Sequence, residues 1–107
     1  FLVIIISLLP CISLADDGVE DVACLAYWQL RSVGLEREHG MESAKKAHKY
    51  QQNYQSGLED LKHKVDPGTA AKQVFGSMKT LLEDIDYDYD RTGELDAEYL
   101  AVCMSSQ

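Results

Sequence analysis

The chain has 107 residues, 46% of them apolar, with 18 acidic residues against 10 basic ones and a formal charge of −8. That length holds one small domain, and the apolar share suffices for a modest core, which excludes general disorder. The acidic excess argues against a nucleic-acid partner, because phosphate binding relies on clustered Lys and Arg.

Phe1 to Ala15, FLVIIISLLPCISLA, is apolar, uncharged and closed by small residues. Ser13 and Ala15 supply small side chains at the spacing a signal peptidase uses, and Asp16-Asp17 opens a polar chain. A bilayer span needs about 20 apolar residues, more than this run offers. The expectation is a secretory signal at 1–15, its basic start lying upstream of Phe1, followed by one helical domain at 16–107 with no stable membrane span. The destination is then periplasmic or secreted. Cys11 raises lipid attachment as an alternative, which the preceding Pro10 disfavours; an uncleaved membrane anchor is another.

Cleavage leaves Cys24 and Cys103, and an even cysteine count in a small exported chain reads as a disulfide. Closing a loop of roughly 80 residues contributes about 4–5 kcal/mol in the chain-entropy model. That approaches the whole stability of a small domain.

Helical periodicity runs through most of the mature chain. A first helix, about Val19 to Leu35, lines up Val22, Leu25, Ala26, Leu30 and Val33. Cys24 and Trp28 stand four apart on a neighbouring side, where the indole can cover a disulfide. Gly34 and the polar run 36–40 suggest a turn around there, with extension of the helix by a few further residues as the alternative. A second helix, about Met41 to Lys64, carries the narrow seam Ala47, Tyr50, Tyr54, Leu58, Leu61 and Val65. Asp66-Pro67-Gly68-Thr69 then offers two start signals: Asp66 as cap with Pro67 next to it, or Thr69 as cap. The third helix, about Ala70 to Tyr87, bears the stripe Ala71, Val74, Phe75, Met78, Leu81, Leu82 and Ile85. A last helix, about Glu94 to Met104, presents Leu95, Tyr99, Leu100, Val102 and Cys103. The expected fold is all-α: a four-helix up-and-down bundle whose disulfide joins the first and last helices.

The most distinctive local pattern lies between the last two helices. Asp88-Tyr-Asp90-Arg-Thr92-Gly93-Glu94-Leu-Asp96 resembles an EF-hand calcium loop. Asp88, Asp90 and Thr92 fall at the first, third and fifth ligand places, Glu94 offers its backbone carbonyl at the seventh and Asp96 its side chain at the ninth, and Gly93 falls at the sharp turn. The closing bidentate Glu is missing: Tyr99 holds its place, and Glu98, one residue early, points about 100° away. Weakly held calcium is therefore the one cofactor this pattern implies; otherwise none is expected. The bland account of residues 83–98 is a solvated acidic corner that keeps the protein soluble.

Glu36-x-x-His39 and Asp60-x-x-His63 each place a carboxylate and an imidazole on one helical face. They lack the further inward carboxylates of a bundle metal centre, and His48 has no evident partner. No nucleophile elbow, glycine-rich phosphate loop or free reactive thiol is present, so an enzyme is not expected.

The alternation Asp86-Tyr87-Asp88-Tyr89-Asp90 suits recognition of a basic protein, tyrosine providing rigid contact area and carboxylates steering the approach. These five are the candidate partner-binding residues. In its signal, its Cys24 and its closing Tyr99-x-x-x-Cys103, the chain resembles small helical periplasmic proteins of Gram-negative bacteria. Type VI immunity proteins of similar build and acid-stress periplasmic chaperones belong to that group, though the latter match its charge poorly. The resemblance implies an exported binding protein, of inhibitor or immunity type, and carries no functional residue across.

Overall fold

In the computed structural model, residues 22–105 are described, and they form four helices and a 3-10 segment with no strand among them. The expected signal at 1–15 and the expected helix start at Val19 lie outside these residues. Helix α1 spans 22–37. After it come α2 (Met41–Lys64), α3 (Pro67–Asp84), a 3-10 helix (Tyr89–Leu95) and α4 (Asp96–Ser105).

α1 is the central element. Cys24, Leu25, Ala26, Tyr27, Trp28, Leu30, Ser32 and Leu35 are all buried, so the helix is covered nearly all round, as a core helix must be. It touches each of the others. Ser32 Oγ donates to Gln51 Oε1 of α2 at 3.1 Å, and Leu25 packs with Leu61, Ala70 and Val74 of α2 and α3. Cys24 is bonded to Cys103 of α4 across a Cα separation of 5.4 Å. These contacts set α2 and α4 antiparallel to α1 and α3 parallel to it, an up-and-down bundle with its first and last helices joined.

Gly34 does not end α1. The helix continues to residue 37, and the turn falls at 38–40. A Cβ at Gly34 would overlap Thr92 Oγ1 and lie 3.0 Å from the Tyr89 carbonyl. The helix thus takes the longer of the two expected courses, and glycine stands there because the 3-10 segment presses against α1, a tertiary reason that a turn signal does not carry.

Asp66 proves to be the cap of α3, its carboxylate accepting from the Thr69 N–H at 3.0 Å and from Thr69 Oγ1 at 2.7 Å. α3 therefore starts at Pro67 rather than near Ala70, with proline where no N–H is needed. Its buried row is Ala70, Val74 and Leu81, continued by Ile85, while Phe75 is 69% exposed. Ala71 and Phe75 are thus not core residues. Each comes one position after a buried residue, and one position is about 100° of rotation. Val102 of α4 is likewise exposed.

Tyr27, absent from the expected core, is fully buried. Its ring lies 5.2 Å from Trp28 and 5.9 Å from Tyr99, and Trp28 lies 4.8 Å from Tyr50, centroid to centroid. Such tilted and stacked contacts add to area burial. Cys24, Trp28 and Cys103 share this cluster with Leu30, Leu81 and Ile85, so the disulfide sits inside the apolar core.

Candidate functional site

The α3–α4 connection is built from how α3 ends. The Tyr87 N–H donates to the Leu82 carbonyl at 2.8 Å and the Asp86 N–H to Glu83 at 3.3 Å, the paired bonds of a Schellman motif. That motif demands a left-handed residue, normally glycine. Here Asp86 takes it (φ 55°), and Tyr87 is left-handed as well (φ 59°). Left-handed backbone costs an L-residue about 1–2 kcal/mol, and Ile85, buried beneath the turn, anchors it. α3 accordingly ends at Asp84 and not at Tyr87.

The five candidate partner-binding residues divide. Asp86, Tyr87 and Asp88 are exposed, with Tyr87 54% open. Tyr89 turns inward and packs on the core cluster. Asp90 is exposed as well, but its carboxylate is tied to α1, accepting from Arg37 Nε at 2.9 Å. The outward edge therefore comprises Asp86, Tyr87 and Asp88, and it is braced from behind: Arg91 donates to Asp86 at 2.9 Å and to both Glu94 oxygens at 2.8 and 3.0 Å.

The calcium-like pattern folds as a 3-10 helix. Asp88 caps it, accepting from the Asp90 N–H at 2.9 Å. Asp90 is engaged by Arg37; the Glu94 carboxylate, which is not the carbonyl oxygen expected as a ligand, is engaged by Arg91; in each case the hydrogen bond to the guanidinium, more than its charge, holds the carboxyl below the usual carboxylate range. Thr92 is buried and donates to the Tyr89 carbonyl at 3.2 Å. Asp96 points back to α1, accepting from Tyr27 Oη at 2.5 Å and Arg31 Nε at 3.0 Å. Among the described residues, no three His, Cys, Asp or Glu side chains are grouped to hold a metal ion.

His39, His48 and His63 are all exposed, as are Glu36 and Asp60. Sequence reading missed an open cavity of about 1030 Å³ between α2 and α3, floored by Leu25 and Trp28 and walled by Asn53, Gly57, Gly76 and Ser77. Its only sequence signal is the small residues facing one another on the two helices.

No helix among the described residues is long and apolar enough to cross a membrane. The fold and its connection define an all-helical bundle with a buried disulfide and a solvent-facing acidic turn. No family model, curated protein or solved structure matches the chain.

Proposed function

We propose that this chain is an exported, non-enzymatic binding protein, periplasmic or secreted, that docks a basic protein partner on the edge formed by Asp86, Tyr87 and Asp88. The observation that carries the reading is Tyr87, an aromatic side chain held in solvent on left-handed backbone. Strain of this kind persists where surrounding structure over-determines it, and it collects at functional sites. Tyrosine offers a large rigid contact with little entropy to lose, and the flanking carboxylates speed encounter with a cationic surface. Export is supported by the Cys24–Cys103 bond, since such bonds persist in oxidising compartments. An inhibitor or immunity-type role fits these features, as both act by covering a partner's surface.

The test is capture from the exported proteins of the source cells, using immobilised wild-type chain and the Tyr87→Ala/Asp88→Ala variant in parallel. A basic protein retained by the wild type, lost with the variant and released by raised salt is expected. Identical capture profiles for the two would overturn the reading.

A further inference from the structure

A glycine inside a helix weakens it and calls for a reason. At Gly57 of α2 the reason is packing, since a Cβ there would overlap Leu25 Cδ2. At Gly76 of α3 packing gives none: nothing lies within 4 Å of where a Cβ would stand. Gly76 lines the open cavity of about 1030 Å³ between α2 and α3, so its missing side chain leaves cavity space.

The opposite wall carries a second, independent feature. Among the described residues, two side-chain polar atoms are buried without a hydrogen-bond partner, Gln29 Oε1 and Asn53 Nδ2. Asn53 lines this cavity. A buried donor without an acceptor is costly to keep, and rotation of the carboxamide about its last torsion turns the N–H groups toward the cavity. Free space and an unmet donor therefore coincide.

The lining decides what fits. Asn53 and Lys64 stand eleven positions apart along α2, which makes the cavity a trough about 16 Å long. Its floor, Leu25 and Trp28, is apolar, while Asn53 and Ser56 on one wall and Ser77 on the other are polar. An alkyl chain suits such a floor but leaves such walls unpaired. An extended peptide suits both, its alternate side chains settling on the floor and its backbone amides meeting the walls. Toward the α2–α3 turn stand Lys64 and Lys72, with Asp60 the one carboxylate among the described lining residues. This end is cationic in a chain of net charge −8. No carboxylate of the lining stands at the Asn53 end to hold an N-terminal ammonium, so the peptide continues outward there.

We infer that this trough binds the C-terminal tail of another protein in extended form, its terminal carboxylate against Lys72 and a backbone carbonyl accepting from Asn53. A span of about 16 Å takes about five extended residues. The carboxylate gains a charge-assisted bond from Lys72, and the apolar side chains of the tail cover Leu25 and Trp28. The acidic turn at 86–88 takes no part in this site.

The test dialyses the oxidised chain to equilibrium against N-acetylated pentapeptides randomised over alanine, valine, leucine, phenylalanine and serine, with a free C-terminal carboxylate. Retained members are identified by mass, and the best retained is titrated against the emission of Trp28, the single tryptophan of the chain. Saturable binding that shifts this emission is expected. It should weaken several-fold when the peptide is amidated or Lys72→Glu is used, and vanish in Gly76→Leu, whose side chain fills the trough. Asn53→Ala should weaken binding while leaving the urea midpoint unchanged or raised, because the free protein loses only an unmet donor. Circular dichroism verifies that each variant keeps the helical fold. No retained peptide, equal binding of acid and amide, undiminished binding to folded Gly76→Leu, or a lowered midpoint with unchanged binding in Asn53→Ala overturns the proposal.

Discussion

Arg31 and Asp96, one on α1 and the other at the start of α4, form the polar joint of the bundle. Arg31 Nε donates to Asp96 Oδ1 at 3.0 Å, and the same oxygen accepts from the Tyr27 hydroxyl. The Arg31 side chain is 13% exposed and that of Asp96 33%. Asp96→Ala leaves a mostly buried guanidinium and a buried phenol without their acceptor. Breaking a fully buried pair costs about 3–5 kcal/mol; partial exposure of Asp96 and the remaining contacts of Arg31 to Thr92 and Glu38 reduce this. The expected loss is about 2 kcal/mol, read as a lower urea midpoint at unchanged slope. A loss below about 0.5 kcal/mol would show the joint to be incidental.

Alkaline pH tests the same joint. Burial first, then the bond to Asp96, pushes the Tyr27 phenol far above its ordinary value of 10.0. Burial also raises Tyr50 and Tyr99. A folded-state value above the unfolded one means that the unfolded chain ionises first. The contribution to stability is therefore complete below the ordinary phenol range and is lost progressively as pH rises above it. Denaturation midpoints should be level up to about pH 9 and fall beyond about pH 10. A flat profile through about pH 11 would contradict the burial of Tyr27.

Cys24 and Cys103 are 79 positions apart. Replacing both with serine restores the loop entropy of the unfolded chain and should lower stability by about 4–5 kcal/mol. Marginal domains have about 5–15 kcal/mol in total, so the variant should be near half unfolded in mild denaturant. Reduction of the wild type should reproduce this shift in thermal melts.

Two glycines should respond in opposite directions to alanine. Gly34→Ala forces a methyl into Thr92 and the Tyr89 carbonyl, displacing the 3-10 segment at an expected cost of about 1–3 kcal/mol. Gly76, inside α3, has nothing within 4 Å of where a Cβ would stand. There alanine removes backbone entropy from the unfolded chain and should stabilise by about 0.5–1 kcal/mol. Chemical denaturation of the two variants decides both signs.

Asp86→Gly separates stability from recognition. Glycine is the residue the left-handed position of a Schellman motif prefers, and the ion pair to Arg91 that it removes lies at the surface. Stability should be unchanged or up to about 1 kcal/mol higher. Partner capture should weaken, because a carboxylate of the edge is gone. Loss of stability together with retained capture would reverse the roles given to this residue.

What could be read from the sequence was what local periodicity and export chemistry encode. The bounds of α2, the all-helical class and the Cys24–Cys103 pair come from spacing and an even cysteine count, while cap chemistry offered Asp66 and Thr69 alike and only the structure chose Asp66. Ala70, Val74 and Leu81 were framed by the right helix, but their neighbour Phe75 could not be told from a core residue. An apolar arc states which face is apolar, and only the neighbouring helices decide how much of it is covered.

The rest depended on contacts between distant positions. Tyr27 is absent from the expected core, and what lets its phenol be buried is Asp96, 69 positions on, which accepts its hydroxyl. Gly34 reads as a turn until Thr92 is seen against it. Asp88, Asp90, Thr92, Glu94 and Asp96 share a spacing that resembles a calcium loop, yet the fold gives two of its carboxylates other partners, Arg37 for Asp90 and Arg31 for Asp96. Spacing along a chain sets which groups can converge locally; the competing partners arrive through the fold, and a carboxylate in reach of a guanidinium takes the charge-assisted bond. Tyr87 and Tyr89 make the same point at one site: two tyrosines in matching acidic surroundings, told apart only because the core accepted one ring and left the other in water.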